Sequence, residues 1–203
     1  MVKQVNASKQ RKERNKERIM QAALGLFQGH GIRKTSMNDV AHSARLSPAT
    51  VYNHFGSKEE LVYATIKHFL TLTGVELKKI VEGSEPFPEK LEQVLLFKQD
   101  ILGRYQGELL QTIVSNPKVR QYVDSVYMKE MRQVIDDFYN LGKDQGYVDK
   151  ELSTETLIRY SEIIRDGMAA ESTLSADPER DAELFRELLP LFLYGILGKH
   201  GDK

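Results

Sequence analysis

The chain has 203 residues, 40% hydrophobic and 29% charged, which is enough to bury a core in one large domain or two small ones and excludes a disordered tail. It has no cysteine, which excludes disulfide frameworks, thiolate zinc sites, Fe–S clusters and cysteine nucleophiles and fits a reducing compartment. The formal charge of zero conceals a split: residues 1–67 carry 12 Lys/Arg against 5 Asp/Glu, a net of +7, and residues 68–203 carry 17 against 24, a net of −7.

Apolar spacing is helical nearly everywhere, and the expected fold is all-α with nine helices. Residues 10–29 read as a first helix, with Ile19, Ala22, Ala23, Leu26 and Phe27 on one face and Gly29-His30-Gly31 as its stop. A second helix opens at Ser36, with Asp39 at capping distance and Met37, Val40, Ala41 and Ala44 as its buried stripe. Arg45-Leu46 is a short turn. The third helix opens at Ser47-Pro48, turns Val51 and Phe55 inward and ends at Gly56. Ser57-Lys58-Glu59-Glu60 reads as a capping box for a fourth helix over 58–82, with Leu61, Val62, Ile66, Phe69 and Leu70 on its apolar side.

Residues 83–88 break the chain, and a fifth helix is expected over 88–105 and a sixth over 107–115. Asn116-Pro117 starts a seventh that runs to Leu141. A loop from Gly142 to Leu152 comes next, then an eighth helix from Ser153 to Ser172 and a ninth from Asp177-Pro178 to Gly195–Gly198. The expected domains are 1–66, built on the first three helices and the start of the fourth, and 67–203. No apolar run approaches the ~20 residues that span a bilayer. The basic N-terminus lacks the apolar stretch of a signal peptide, so no membrane contact and a cytoplasmic location are expected.

Two short helices joined by a tight turn, the second opening on Ser-Pro, suit a helix-turn-helix, whose second helix lies in the major groove of DNA. Beyond its cap, Ser47, that helix offers Thr50, Tyr52, Asn53 and His54, whose polar groups can meet base edges or phosphates. Ala49 is small enough to lie against a thymine methyl. Helix N-termini at Ser36 and at Ser57-Lys58 present unpaired amides that suit phosphate, and Lys58 adds a charge. The basic lead-in (Lys9, Arg11, Lys12, Arg14, Lys16, Arg18) can reach further phosphates or the minor groove. The plainer roles are caps for Ser36 and Ser57 and core aromatics for Tyr52 and Phe55.

From Ile19 to Ile66 the sequence resembles the TetR family of one-component transcriptional regulators. The resemblance is carried by Thr35-Ser36, Asp39-Val40-Ala41, Ala44-Arg45-Leu46-Ser47, Val51-Tyr52-Asn53-His54-Phe55 and Ser57-Lys58-Glu59-Glu60-Leu61. Arg45 stands where the family usually has glycine, and Pro48 where it more often has a polar or basic residue. The resemblance implies an all-helical homodimer whose first three helices bind DNA and whose last two pair with the partner. It also implies a small-molecule pocket among the middle helices, with ligand usually releasing the DNA. By position, Ser36, Tyr52 and Lys58 match phosphate contacts, and Ala49, Thr50, Asn53 and His54 match groove-facing positions. Past Phe69 the resemblance is architectural.

In the acidic half, the seventh helix has a broad apolar side from Val119 to Leu141. Glu130 falls inside it, three residues from Tyr127 and four from Val126 and Val134. A buried unpaired carboxylate is costly, so Glu130 should have a partner or line a wet cavity. Arg165 is placed similarly on the eighth helix, and Asp100 and Arg104 lie next to Phe97 and Ile101 on the fifth. Three readings stand: Glu130 and Arg165 orient a ligand, they form a structural pair, or a bent helix exposes Glu130. In the first, a mainly apolar effector with a polar or charged group lies against Phe97, Ile101, Tyr122, Tyr127, Met131, Ile164 and Met168. The ninth helix is apolar nearly all round, so one side meets the core and the other a second copy, through Phe185, Leu189, Phe192 and Ile196.

The five histidines show no metal spacing, and no P-loop, G-x-S-x-G or H-E-x-x-H motif occurs, so no catalytic residue, metal or cofactor is expected. The favoured reading is a sequence-specific regulator of double-stranded DNA, a repressor freed from a palindromic operator by a small effector. The alternative is a DNA-binding protein of the same fold that answers to a protein partner. A helical enzyme built on Glu130, Tyr127 and Arg165 has no motif behind it.

Overall fold

The structure is a computed structural model that describes residues 2–104 and 108–160, together with residues 163 and 187. The elements are α1 (Val2–His30), α2 (Met37–Ser43), α3 (Pro48–Phe55), α4 (Lys58–Glu82), α5 (Phe87–Arg104), α6 (Glu108–Ser115), α7 (Pro117–Tyr122), a π-helical turn (Val123–Tyr127) and α8 (Met128–Asp144). Residues 154–160 are helical again, capped by Ser153, whose Oγ accepts from the Thr156 N–H at 3.0 Å. The fold is all-α, as the periodicity predicts. No helix among the described residues is long and apolar enough to cross a membrane.

The chain divides into two units, Met1–Leu72 with Gly107–Arg120, and Thr73–Gln106 with Gln121–Lys203. The first boundary thus falls inside α4, a little beyond residue 66, and α6 and most of α7 join the N-terminal unit. Leu109 and Val119 are buried there, and ion pairs from Glu108 to Arg33 and from Lys118 to Glu60 add to the packing.

In the first unit α1 begins at Val2, well before residue 10, so the basic lead-in is itself helical. Ile19, Ala23, Leu24 and Phe27 form its buried face. Gly31 ends the helix at φ 81°, in the left-handed region that favours glycine, and its N–H donates to the Phe27 carbonyl at 3.0 Å. The turn between α2 and α3 also needs a left-handed residue, and here it is Arg45, at φ 52°. A side chain there costs about 1–2 kcal/mol, which gives the physical reason for the family's glycine at this position. The Leu46 N–H closes the turn on the Ala41 carbonyl at 2.9 Å.

The core of the second unit is Phe87, Tyr139, Val148 and Leu157, with Leu91, Ile135, Phe138, Leu141, Tyr147, Leu152 and Tyr160 around them. The Phe87 ring lies 4.9 Å from that of Phe138 and 5.9 Å from that of Tyr147. As the first residue of α5, Phe87 has an N–H with no partner inside the helix, and Gln145 Oε1 accepts it at 2.8 Å. Lys90, only 2% exposed, turns its ammonium onto the carbonyls of Ile80, Val81 and Gly83 and so caps the C-terminus of α4.

Two expectations for this unit change. Gly142 does not open a loop; it lies within α8, and the stop comes at Gly146, at φ 79°. A Cβ on Gly142 would stand 2.6 Å from Val148 Cγ2 and 2.7 Å from Phe87 Cε2. Gly142→Ala should therefore cost about 1–3 kcal/mol through overpacking, where helix propensity alone would gain about 1 kcal/mol. Thermal unfolding reads the sign directly.

The expected seventh helix is also interrupted. The π-helical turn takes in an extra residue and rotates the downstream residues by about 100° relative to a continuous α-helix. Tyr122 and Met131 are both buried, whereas Val126 is 39% exposed and Glu130 lies at the surface. The placement of Glu130 inside the apolar stripe assumed one unbroken period, and the π turn removes that premise.

Candidate nucleic-acid interface

Helix α3 is held from one side. Val51 and Phe55 are buried beneath it, and opposite them Ala49 and Asn53 are exposed. Tyr52 is 49% exposed, so of the two aromatics only Phe55 belongs to the core. Pro48 takes the first helical position. Ser47 Oγ accepts from the Thr50 N–H at 3.2 Å and shares a hydrogen bond with Thr50 Oγ1 at 2.8 Å. The Thr50 hydroxyl is thus already engaged with the cap, and Thr50 and His54 are half-buried at the flanks. The His54 ring lies 6.2 Å from that of Phe55. Burial lowers the His54 pKa first, and Lys12 and Lys16 lower it further against the opposing charge of Glu13, which favours the neutral imidazole.

The helix N-termini nearby are capped. Ser36 Oγ accepts from the Asp39 N–H at 3.1 Å, and Asp39 Oδ2 accepts from the Ser36 N–H at 2.8 Å. The Ser36 hydroxyl and then its N–H hold the Asp39 carboxyl below the usual carboxylate range. At α4 the box closes only halfway. Ser57 Oγ accepts from the Glu60 N–H at 3.2 Å, but the Glu60 carboxylate turns to Lys118 Nζ at 2.5 Å. Lys58 donates to the Arg33 carbonyl at 3.0 Å, which ties the start of α4 to the turn after α1.

Three further residues shape this surface and were not legible as such in the sequence. Arg18, counted with the basic lead-in, donates to the Ala44 carbonyl at 2.7 Å and fixes the end of α2. Glu108 accepts from the Arg33 N–H at 2.8 Å and pairs with the Arg33 guanidinium; that N–H, then the side chain, holds the Glu108 carboxyl below its usual range. Lys118 lies 4.4 Å from the centroid of the Tyr63 ring. The last two join positions far apart in sequence, where no local spacing can signal them. Lys9, Arg11, Lys12, Arg14 and Lys16 lie along α1, and all five are exposed.

Of the candidate effector contacts, Tyr122 and Met131 are buried and Phe97, Ile101 and Tyr127 half-buried, all in the second unit. Met131 Sδ and Tyr127 Cε2 stand 3.1 and 3.4 Å from where a Cβ on Gly74 would be. The Tyr127 hydroxyl is hydrogen-bonded to Thr73, and burial pushes its pKa up. Asp100 and Arg104 pair with each other at the surface. Ile164, Arg165 and Met168, and the interface candidates Phe185, Leu189, Phe192 and Ile196, lie outside the described residues.

A buttressed helix with a small and an amide side chain at its crest, flanked by a basic helix, defines a helix-turn-helix DNA-binding protein. The pattern of bacterial regulatory proteins of the tetR family matches residues 19–65. An HTH-type transcriptional regulator of Staphylococcus aureus (strain USA300) is 30% identical over 150 residues, covering 71% of this chain and 76% of that protein. The HTH-type transcriptional repressor KstR2 of Mycobacterium tuberculosis (strain CDC 1551 / Oshkosh) is 25% identical over 154 residues, 73% of this chain and 74% of that one. A solved transcriptional regulator from Saccharomonospora viridis, in complex with choline, shares the fold with a TM-score of 0.67 at 20% identity, over 92% of this chain and 100% of that one. The chain belongs to the TetR family and is a DNA-binding transcriptional regulator.

Proposed function

We propose that the protein is a homodimeric, cytoplasmic repressor that reads a palindromic operator through α3 and releases it when a small-molecule effector binds the second unit. The observation that carries this reading is the set of α3: Val51 and Phe55 anchor it, Ser47 caps it, and Ala49, Tyr52 and Asn53 are left exposed. Ala49 and Asn53 would read base edges, with Thr50 and His54 at the margins of the groove. Tyr52 and the capped N-termini at Ser36 and Lys58 would meet phosphates, joined by the exposed cations of α1. Tyr122, Tyr127, Met131, Phe97 and Ile101 would supply apolar wall to the effector. Its binding would weaken operator affinity by a coupling of about 1–3 kcal/mol, and operator would weaken effector binding by the same factor.

The test is a salt titration of duplex binding. The net of +7 on residues 1–67 of each subunit predicts that several phosphates are neutralised. Log K should then fall against log salt with a slope of about −0.9 per phosphate contact. A flat response would contradict the reading.

A further inference from the structure

Two lysines of α5 turn toward protein and meet opposite fates. Phe87, Leu91, Val94, Lys98 and Ile101 recur at the spacing of one helix face. Phe87 and Val94 on that face are buried, and Leu91, Lys98 and Ile101 half-buried. Lys90, beside this face, spends its ammonium on three backbone carbonyls. Lys98 has no such outlet. No carboxylate, hydroxyl or carbonyl among the described residues meets its ammonium, and burial alone pushes its pKa down. A desolvated cation with no counter-charge among the described residues is unfavourable in the ligand-free protein and becomes favourable once an anion is placed against it. A packing role would be served better by leucine or methionine.

The surroundings are apolar. Phe87 meets Phe138, and Leu91 and Ile135 join the same cluster about one turn along each helix. α5 also contacts α8, on which Met131 is buried and Glu130 exposed.

We propose that Lys98 is the recognition residue for an anionic head group, a carboxylate or a phosphate monoester, on an otherwise apolar effector bound in the second unit. This rests on the reading that a small molecule controls DNA binding.

The experiment uses the full chain and four probes with one tail, decanoate, decyl phosphate, decanol and decyltrimethylammonium, each below its micelle concentration. Binding is read by calorimetry and thermal shift, and operator release is measured in parallel. Wild type should bind at least one of the two anions tenfold or more tighter than the alcohol or the ammonium, and the tighter anion identifies the head group. Lys98→Met should lose that preference, and its ligand-free Tm should rise, because a half-buried charge with no counter-charge among the described residues has been replaced by a side chain of similar shape. Lys98→Arg should keep the preference.

Equal binding of decanol and the anions, no binding of either anion, or an anion preference that survives Lys98→Met would overturn the proposal. So would a ligand-free Tm that falls in Lys98→Met, which would make Lys98 a structural group. The effector reading fails separately: anions that bind through Lys98 yet leave operator affinity unchanged would keep the site and remove its regulatory role. Release by decanol or the ammonium alone would do the reverse.

Discussion

Phe87→Ala should lower the free energy of unfolding by about 3–5 kcal/mol, the range for emptying a buried aromatic site. Phe87 is 1% exposed and packs among the rings of Phe138 and Tyr147 in the cluster that also holds Tyr139. The site has little room to collapse, because Gly142 already brings the α8 backbone against the ring. The Phe87 N–H and its Gln145 partner survive the substitution, so the loss is one of packing and cavity. Denaturant unfolding of wild type and variant measures it, and a loss below about 1 kcal/mol would show that the ring is not central to this core.

The second large effect is on assembly. Introducing charge at both Phe192 and Ile196 should give monomers or insoluble protein, and any soluble monomer should lose specific operator binding. The basis is the sequence pattern alone: at helical spacing, Leu184, Phe185, Leu188, Leu189, Leu191, Phe192, Leu193 and Ile196 would leave almost no polar face. A palindromic operator is read by two subunits with half-sites ~34–36 Å apart or somewhat more, so a lone head reads half the site. Affinity should fall at least about a thousandfold, toward the non-specific level. Sedimentation and operator titration test both parts together. A fully dimeric double variant with unchanged operator binding would rule this interface out.

The helix-turn-helix was legible because its devices are local. Ser36 with Asp39, Ser47 with Thr50, and the glycines at 31 and 56 act over three or four residues, and the inward pair Val51 and Phe55 is one helical turn apart. The second unit was legible as helices but not in phase. The π turn at Val123–Tyr127 shifts the rotation of everything after it, so spacing placed Glu130 in the interior while the fold sets it at the surface. Gly142 reads as a helix stop by composition, yet its role is set by Phe87 and Val148, brought to it by tertiary packing. Glu108 and Arg33 are joined across 75 positions, beyond any window of periodicity. Lys98 does carry a sequence signal, a lysine at the apolar register of α5. Its meaning comes from the absence of a counter-charge among the described residues, which only the fold can show.

The most direct test of the central claim is selection of binding sites from a random duplex pool, run with wild type and with Asn53→Ala, Ala49→Ser and Lys58→Ala. Wild type should enrich one two-fold symmetric sequence. Changes at Asn53 and Ala49 should shift the preferred bases within each half-site, with about 1–3 kcal/mol of discrimination lost per base contact. Lys58→Ala should weaken all sequences alike and leave the enriched motif unchanged. Failure of wild type to enrich any sequence, or an enriched motif indifferent to both Asn53 and Ala49, would contradict the assignment of α3 as the reading helix.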